Sequence, residues 1–122
     1  MLLTKNRLTA GAILAYSIVK PGGAAGTVVA AAAGADKVIG VTTDVDAVSG
    51  ERADVIHLGE AKVVAGAAFA DGDQLMSDAS GRAITAAAAA GANVRTVGYA
   101  REAATAVGDI CEIVVQPGVF QG

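Results

Sequence analysis

His57 is the single histidine of this 122-residue chain and Cys111 its single cysteine. A general base needs a nucleophile within reach and a group that orients it. Ser49, Ser77 and Ser80 supply hydroxyls, but no nucleophile motif surrounds any of them. One histidine and one cysteine without ligand-like spacing do not make a zinc site. The flank Ile110-Cys111-Glu112 offers no cation to lower the thiol pKa, so Cys111 reads as a small core residue. Asp44, Asp46, Glu51 and Asp54 form an acidic run whose Asp44-x-Asp46 spacing suggests calcium. The glycine and distal glutamate of an EF-hand loop are out of register, and the run reads as a solvated loop. Asp71-Gly72-Asp73 is a turn before it is a ligand pair. Pro21-Gly22-Gly23-Ala24-Ala25-Gly26 is glycine-rich but lacks the Gly-Lys-Ser/Thr ending of a phosphate loop. No catalytic, cofactor-binding or metal-ligating residue is assigned, and the chain is expected not to be an enzyme.

The elements that must hold these residues come in two copies. Ala30-Ala31-Ala32-Ala33-Gly34-Ala35-Asp36 recurs as Ala87-Ala88-Ala89-Ala90-Gly91-Ala92-Asn93. Val38-Ile39-Gly40-Val41 then matches Thr96-Val97-Gly98-Tyr99, and Gly40 and Gly50 align with Gly98 and Gly108. In the same register Glu51 meets Asp109, Asp54 meets Glu112 and Val55 meets Ile113. Spaced glycines and acids repeated in this way indicate an internal duplication. Side chains alternate along a strand, so Cys111, Ile113 and Val115 share a face, and the repeat maps Ala53, Val55 and His57 onto it. His57 is thus expected to be half-buried with a hydrogen-bond partner.

Residues 13–19, 27–32, 37–42, 52–58, 60–64, 94–100 and 109–116 read as strands. The turn Gly34-Ala35-Asp36 separates the second from the third, and Gly59 separates 52–58 from 60–64. Residues 74–77 and 82–85 form a hairpin over Asp78-Ala79-Ser80-Gly81. Turn signals at short, regular intervals predict an all-β fold, a mainly antiparallel barrel or sandwich. Alanine complicates this reading: residues 101–107 favour helix by propensity, and one short helix is allowed near 101–106. The expected organisation is an N-terminal arm over residues 1–12, one β-rich domain over 13–118 and a tail over 119–122.

Composition narrows the partners. Hydrophobic residues make up 53% of the chain, charged residues 17% and aromatics only 3% (Tyr16, Phe69, Tyr99 and Phe120), so the core must be aliphatic. Mean hydropathy is +0.52, high for an isolated domain, which suggests that neighbouring copies cover part of the surface. No apolar run is long enough for a membrane span. Net charge is −3, cations are scattered and aromatics are few, which argues against nucleic acid. The N-terminus reads as an ordinary arm rather than a signal peptide. A single cysteine excludes an internal disulfide.

From about Ile18 onward the chain resembles the capsid cement, or head decoration, proteins of tailed bacteriophages. The resemblance rests on Ile18-Val19-Lys20-Pro21-Gly22-Gly23, Val38-Ile39-Gly40-Val41, Asp71-Gly72-Asp73-Gln74-Leu75 and Asp78-Ala79-Ser80-Gly81-Arg82-Ala83. It continues through Val97-Gly98-Tyr99-Ala100, Gly108-Asp109-Ile110 and Val114-Val115-Gln116-Pro117-Gly118. It implies a β-rich virion protein made in the bacterial cytoplasm. Such a protein binds the exterior of the expanded shell and contacts the major capsid protein. It commonly sits as a homotrimer that bridges coat subunits. The arm is then the expected part to order on binding.

Two other readings remain open at this point. One is a small β-sheet module for a glycan or similar ligand, disfavoured by the shortage of aromatics. The other starts from Asp36-Lys37 at the tip of a predicted hairpin, which resembles the acylated-lysine tip of lipoyl carrier domains. The second copy has Asn93-Val94 there.

Overall fold

The computed structural model describes residues 3–34, 36–87 and 93–121. Nine strands follow in order: β1 (Leu3–Thr9), β2 (Ile18–Pro21), β3 (Thr27–Ala30), β4 (Gly40–Thr42), β5 (Arg52–Val64), β6 (Gln74–Ser77), β7 (Ala83–Thr85), β8 (Asn93–Ala100) and β9 (Ile110–Gln121). They form one sheet in the order β1-β3-β2-β4-β5-β9-β8-β6-β7, and β1 also pairs with β5. That extra pairing closes β1, β3, β2, β4 and β5 into a five-stranded barrel. The fold is therefore all-β, and the choice between barrel and sandwich resolves to a barrel.

The long strand β5 explains how a duplication becomes one sheet. Its first half pairs with β1, through Lys5↔Val55 and Arg7↔Ala53. Its second half pairs with β9, through Ala61↔Ile113 and Val63↔Cys111. The second half of β5 thus does for residues 59–116 what β1 does for residues 3–58. The parallel pair Thr9↔Val28 recurs as the parallel bridge Ala65↔Ala83, which closes a second ring of β5, β9, β8, β6 and β7. Ile13↔Ala47 recurs as Phe69↔Ala104, both antiparallel. Loop hydrogen bonds repeat as well: Gly50 N donates to Thr9 O at 3.0 Å, and Gly108 N donates to Ala65 O at 2.8 Å.

Each ring is filled by its inward alternate residues. Ile13, Val19, Val28 and Val55 form one buried cluster. Their counterparts Phe69, Leu75, Ala83 and Ile113 belong to a larger cluster, which also takes in Ile18, Ala31, Val38 and Val41 of the first repeat. The larger cluster joins the two repeats. Backbone bonds reinforce the junction: Ile18 N donates to Gly81 O at 2.8 Å and Val64 N to Tyr16 O at 3.1 Å.

Several sequence expectations need correction. No helix occurs among the described residues. Ala104 exchanges two backbone bonds with Phe69 (3.0 and 3.1 Å), and an extended bridge of this kind overrides alanine's helical preference. Residues 27–32 and 37–42 do not form a hairpin, because β2 lies between β3 and β4. Gly59 (φ 108°) interrupts nothing: β5 runs straight through it. Where an N-terminal arm was expected the structure has β1, and β9 runs on to Gln121, which pairs with Asn93. The hairpin over Asp78-Ala79-Ser80-Gly81 is present as β6 and β7. The second alanine run falls largely on residues 88–92, outside the described residues.

Candidate functional site

The sequence candidates are dispersed, and His57, Asp36, Asp46, Glu51, Asp54 and Asp73 are engaged in local loop and strand contacts. His57 is half-buried on β5. Its Nδ1 lies 2.7 Å from the Ile39 carbonyl, which can only accept, so Nδ1 carries the proton. Arg7 Nε then donates to Nε2 at 3.4 Å, a long bond that ties β1 to β5. Both ring nitrogens are therefore occupied. Cys111 is buried, with its thiol 3.7 Å from the Ala103 carbonyl. Burial, and then the nearby carboxylates of Glu102 and Asp109, push its pKa up, so the thiol stays protonated and weakly nucleophilic.

The acidic run separates in space. Asp46 Oδ1 accepts from Ala15 N at 2.7 Å, Glu51 Oε1 from Val48 N at 2.8 Å and Asp54 Oδ1 from Asn6 Nδ2 at 3.2 Å. Among the described residues no three acidic, histidine or cysteine side chains are grouped to hold a metal. Asp73 Oδ2 accepts from Ala70 N at 2.9 Å, which makes Asp71-Gly72-Asp73 a self-capped turn. The glycine-rich segment is the β2–β3 turn, closed by Gly22 N donating to Thr27 O at 2.8 Å. Asp36 Oδ2 accepts from Ala32 N and Ala33 N at 2.8 and 3.0 Å and pairs with Lys20 at 3.2 Å. The Ala32 amide first, and then Lys20 against an opposing effect of burial, hold its carboxyl below the usual range. Asp36-Lys37 is thus part of a capped crossing loop rather than a hairpin tip.

What the sequence reading missed is surface. A groove of about 750 Å³ runs past Leu58, Glu60, Tyr99, Arg101, Val114 and Gln116, with Arg101 Nη1 3.8 Å from Glu60 Oε1. More exposed still are Leu14 (70%), Val45 (66%) and Val48 (62%) on the two loops joined by the Ile13↔Ala47 bridge. The signal was present in the sequence as large apolar residues set singly between loop acids, at Asp44-Val45-Asp46 and Val48-Ser49-Gly50-Glu51.

These loops are firmly framed. Thr9 Oγ1 lies 2.8 Å from Val48 O and 2.9 Å from Glu51 O, sharing its one proton between them, and Thr42 Oγ1 donates to Leu14 O at 3.0 Å. A framed surface of exposed aliphatic side chains suits protein contact rather than chemistry on a small molecule.

Comparison with known proteins agrees. A family model described as phage cement protein matches residues 8–117. Among solved structures, the chain is similar to the head fiber gp8.5 N base in bacteriophage phi29, with a TM-score of 0.70 and 21% identity over 95% of each chain. At that identity the likeness speaks for the fold. No curated protein matches.

Proposed function

The chain belongs to the phage cement protein family, and from that premise we propose that it decorates the outer surface of the capsid, as trimers that bridge neighbouring coat subunits and stiffen the shell. It is a structural protein of the phage capsid. The observation from which the proposal starts is the family match over residues 8–117, nearly the whole folded region. Physical features support it. A net charge of −3 suits the exterior of a shell better than the DNA-facing interior, where like charge repels. Two fused barrels sharing β5 give a stiff body, able to transmit load between subunits it touches. Weak contacts repeated across a symmetric shell add through effective concentration.

The test is co-sedimentation of purified protein with expanded capsids stripped of it. Saturable binding at three copies per threefold site is the expected result. Absence of binding to well-formed shells at micromolar concentration overturns the reading.

A further inference from the structure

We propose that the loop pair bearing Leu14, Val45 and Val48 is the surface that seats on the coat protein, in an apolar recess rimmed by cationic side chains. This rests on the cement reading above and adds the contact surface and its chemistry.

The duplication supplies an internal control. Both repeats build the same loop pair, locked by equivalent bridges, Ile13↔Ala47 and Phe69↔Ala104. Glu51 N donates to Val48 O at 3.1 Å and Asp109 N to Ala106 O at 3.3 Å, so Val48 and Ala106 are equivalent. Aligned on the bridges, Leu14 corresponds to Ala70 and Val45 to Glu102. The frame therefore forms with alanine or glutamate at these three positions, and the second loop pair exposes one large aliphatic side chain, Val107 (60%), against three in the first. Large apolar side chains that the frame does not need, each more than 60% exposed, answer to something outside the chain.

The backbone points the same way. Tyr16, two residues after Leu14, has φ 56°, and it is the one non-glycine residue with positive φ among the described residues. Its counterpart is Gly72 at φ 88°. The second repeat relieves this conformation with glycine; the first keeps a tyrosine in it, and strain of this kind concentrates where a surface is put to use. The apolar strip also continues beyond the loops. Leu14 and Val64 share the wall of a recess of about 300 Å³ with Ser17, Ser80 and the Asp78-paired Arg82, and Val64 pairs with Ile110, itself 52% exposed.

Charge selects the occupant. Asp44, Asp46 and Glu51 sit among these apolar residues, and Asp46 and Glu51 spend one carboxylate oxygen each on loop amides. A second copy docked face to face would set these acids against their own images, which is repulsive. A foreign surface with cations around an apolar recess matches both features.

Val45→Glu/Val48→Glu tests this in the full chain, by co-sedimentation with stripped expanded capsids. Leu58→Glu, in the separate groove lined by Glu60, Tyr99, Arg101 and Val114, serves as the control. Expected are shell binding weakened at least about ten-fold for the loop variant and unchanged for the control. Melting temperatures should match the wild type, since the substituted side chains contribute little burial. Should the loop variant melt early, Val45→Thr/Val48→Thr repeats the test with near-isosteric residues and an expected loss of several-fold. Wild-type binding by the loop variant, or loss of binding by Leu58→Glu alone, overturns the assignment. So does a loop variant that binds shells normally but loses self-association by light scattering. Failure of the wild type itself to bind shells is a different outcome: it removes the cement reading, whatever the variants do.

Discussion

The two repeats share a hydrogen-bond frame and differ in almost everything that fills it. In the first, the positions of β1 that pair with Val55 and Ala53 are Lys5 and Arg7; in the second, the matching positions are Ala61 and Val63, both buried. His57 becomes Val115 in the same register. The outer positions invert the pattern. Ile18 and Val41 of the first repeat are fully buried in the cluster that joins the halves. Their counterparts Gln74 and Tyr99 are exposed and half-buried. One repeat is therefore apolar inside with an open outer face. The other is part polar inside and spends its outer face on the junction. What duplication preserved is the backbone pairing. The side chains diverged according to what each position came to face.

The sharpest way to break the frame is at the equivalent glycines Gly40 and Gly98. Gly98 has φ 154° at the β8–β9 register shift, and a Cβ there would run into the Val114 carbonyl. Backbone cannot yield as a flexible side chain would. Gly98→Ala should cost about 3 kcal/mol or more in urea unfolding. At Gly40 a Cβ would meet the Ile56 carbonyl, but φ is not in the left-handed region, so Gly40→Ala should cost less, about 2 kcal/mol. Equal losses at the two sites would mean that the φ of Gly98 is immaterial.

A second test concerns how the interiors trade volume. From first repeat to second, Ile13 becomes Phe69, Val19 becomes Leu75 and Val55 becomes Ile113, while Val28 shrinks to Ala83. Close-packed interiors demand such compensation. Ile13→Phe alone should overpack the first ring and cost about 1–3 kcal/mol. Adding Val28→Ala should recover at least about 1 kcal/mol relative to additivity in a double-mutant cycle. Strict additivity would show that the two positions do not share one cavity.

Much of this comparison could be read in the chain before folding, and the part that could not has identifiable causes. The glycine pairs Gly40/Gly98 and Gly50/Gly108 exposed the duplication because their spacing is a backbone requirement. The β6–β7 hairpin was legible because Asp78 and Gly81 write a local turn: Asp78 Oδ1 accepts from Ser80 N and Arg82 N at 2.8 and 2.9 Å. The equivalence of Tyr16 with Gly72 was hidden, since no identity survives there. β1 was hidden because its alternate positions Lys5, Arg7 and Thr9, opposite the buried face of β5, show no apolar alternation. The crossing of β3 and β4 was invisible for another reason: which strand lies between them is decided by long-range pairing. The exposed trio Leu14, Val45 and Val48 was visible as residues. Only the comparison with Ala70, Glu102 and Ala106 gave them meaning.

The polar lining of β1 makes it the weaker of the two equivalent strands. It pairs with β5 and β3, yet most of its described side chains are exposed, and the Arg7–His57 bond is long at 3.4 Å. The second half of β5 buries Ala61 and Val63 in the same role, and the bridge residue Ala65 after it is buried too. Native-state hydrogen exchange should find the inter-strand amides of β1 opening at least about ten-fold more often than those of residues 60–64. Arg7→Ala should widen that gap. Matching protection in both segments would mean that backbone pairing alone, without apolar lining, holds β1 as firmly as β5.

The smallest expected effect separates the two loop caps. Glu51 accepts one amide, from Val48, whereas the equivalent Asp109 accepts three bonds through Oδ2, from Thr105 N, Thr105 Oγ1 and Ala106 N, at 3.0–3.1 Å. The Thr105 amide above all, then the Thr105 hydroxyl and the Ala106 amide, hold the Asp109 carboxyl below its ordinary value of 3.8. The folded state therefore binds this proton less tightly than the unfolded state does. The stabilisation is complete above the ordinary value and is lost as pH falls through the lower folded value. Asp109 is only half-buried and its carboxylate reaches solvent, so the effect on global stability is small and is best read as a slope. Asp109→Ala should lower the melting temperature more than Glu51→Ala near neutral pH, about pH 7, and should lose less of it on acidification to about pH 3. If wild type and Asp109→Ala fall in parallel, the three bonds do not discriminate between the charged and neutral carboxyl. The asymmetry between the caps would then be geometric only.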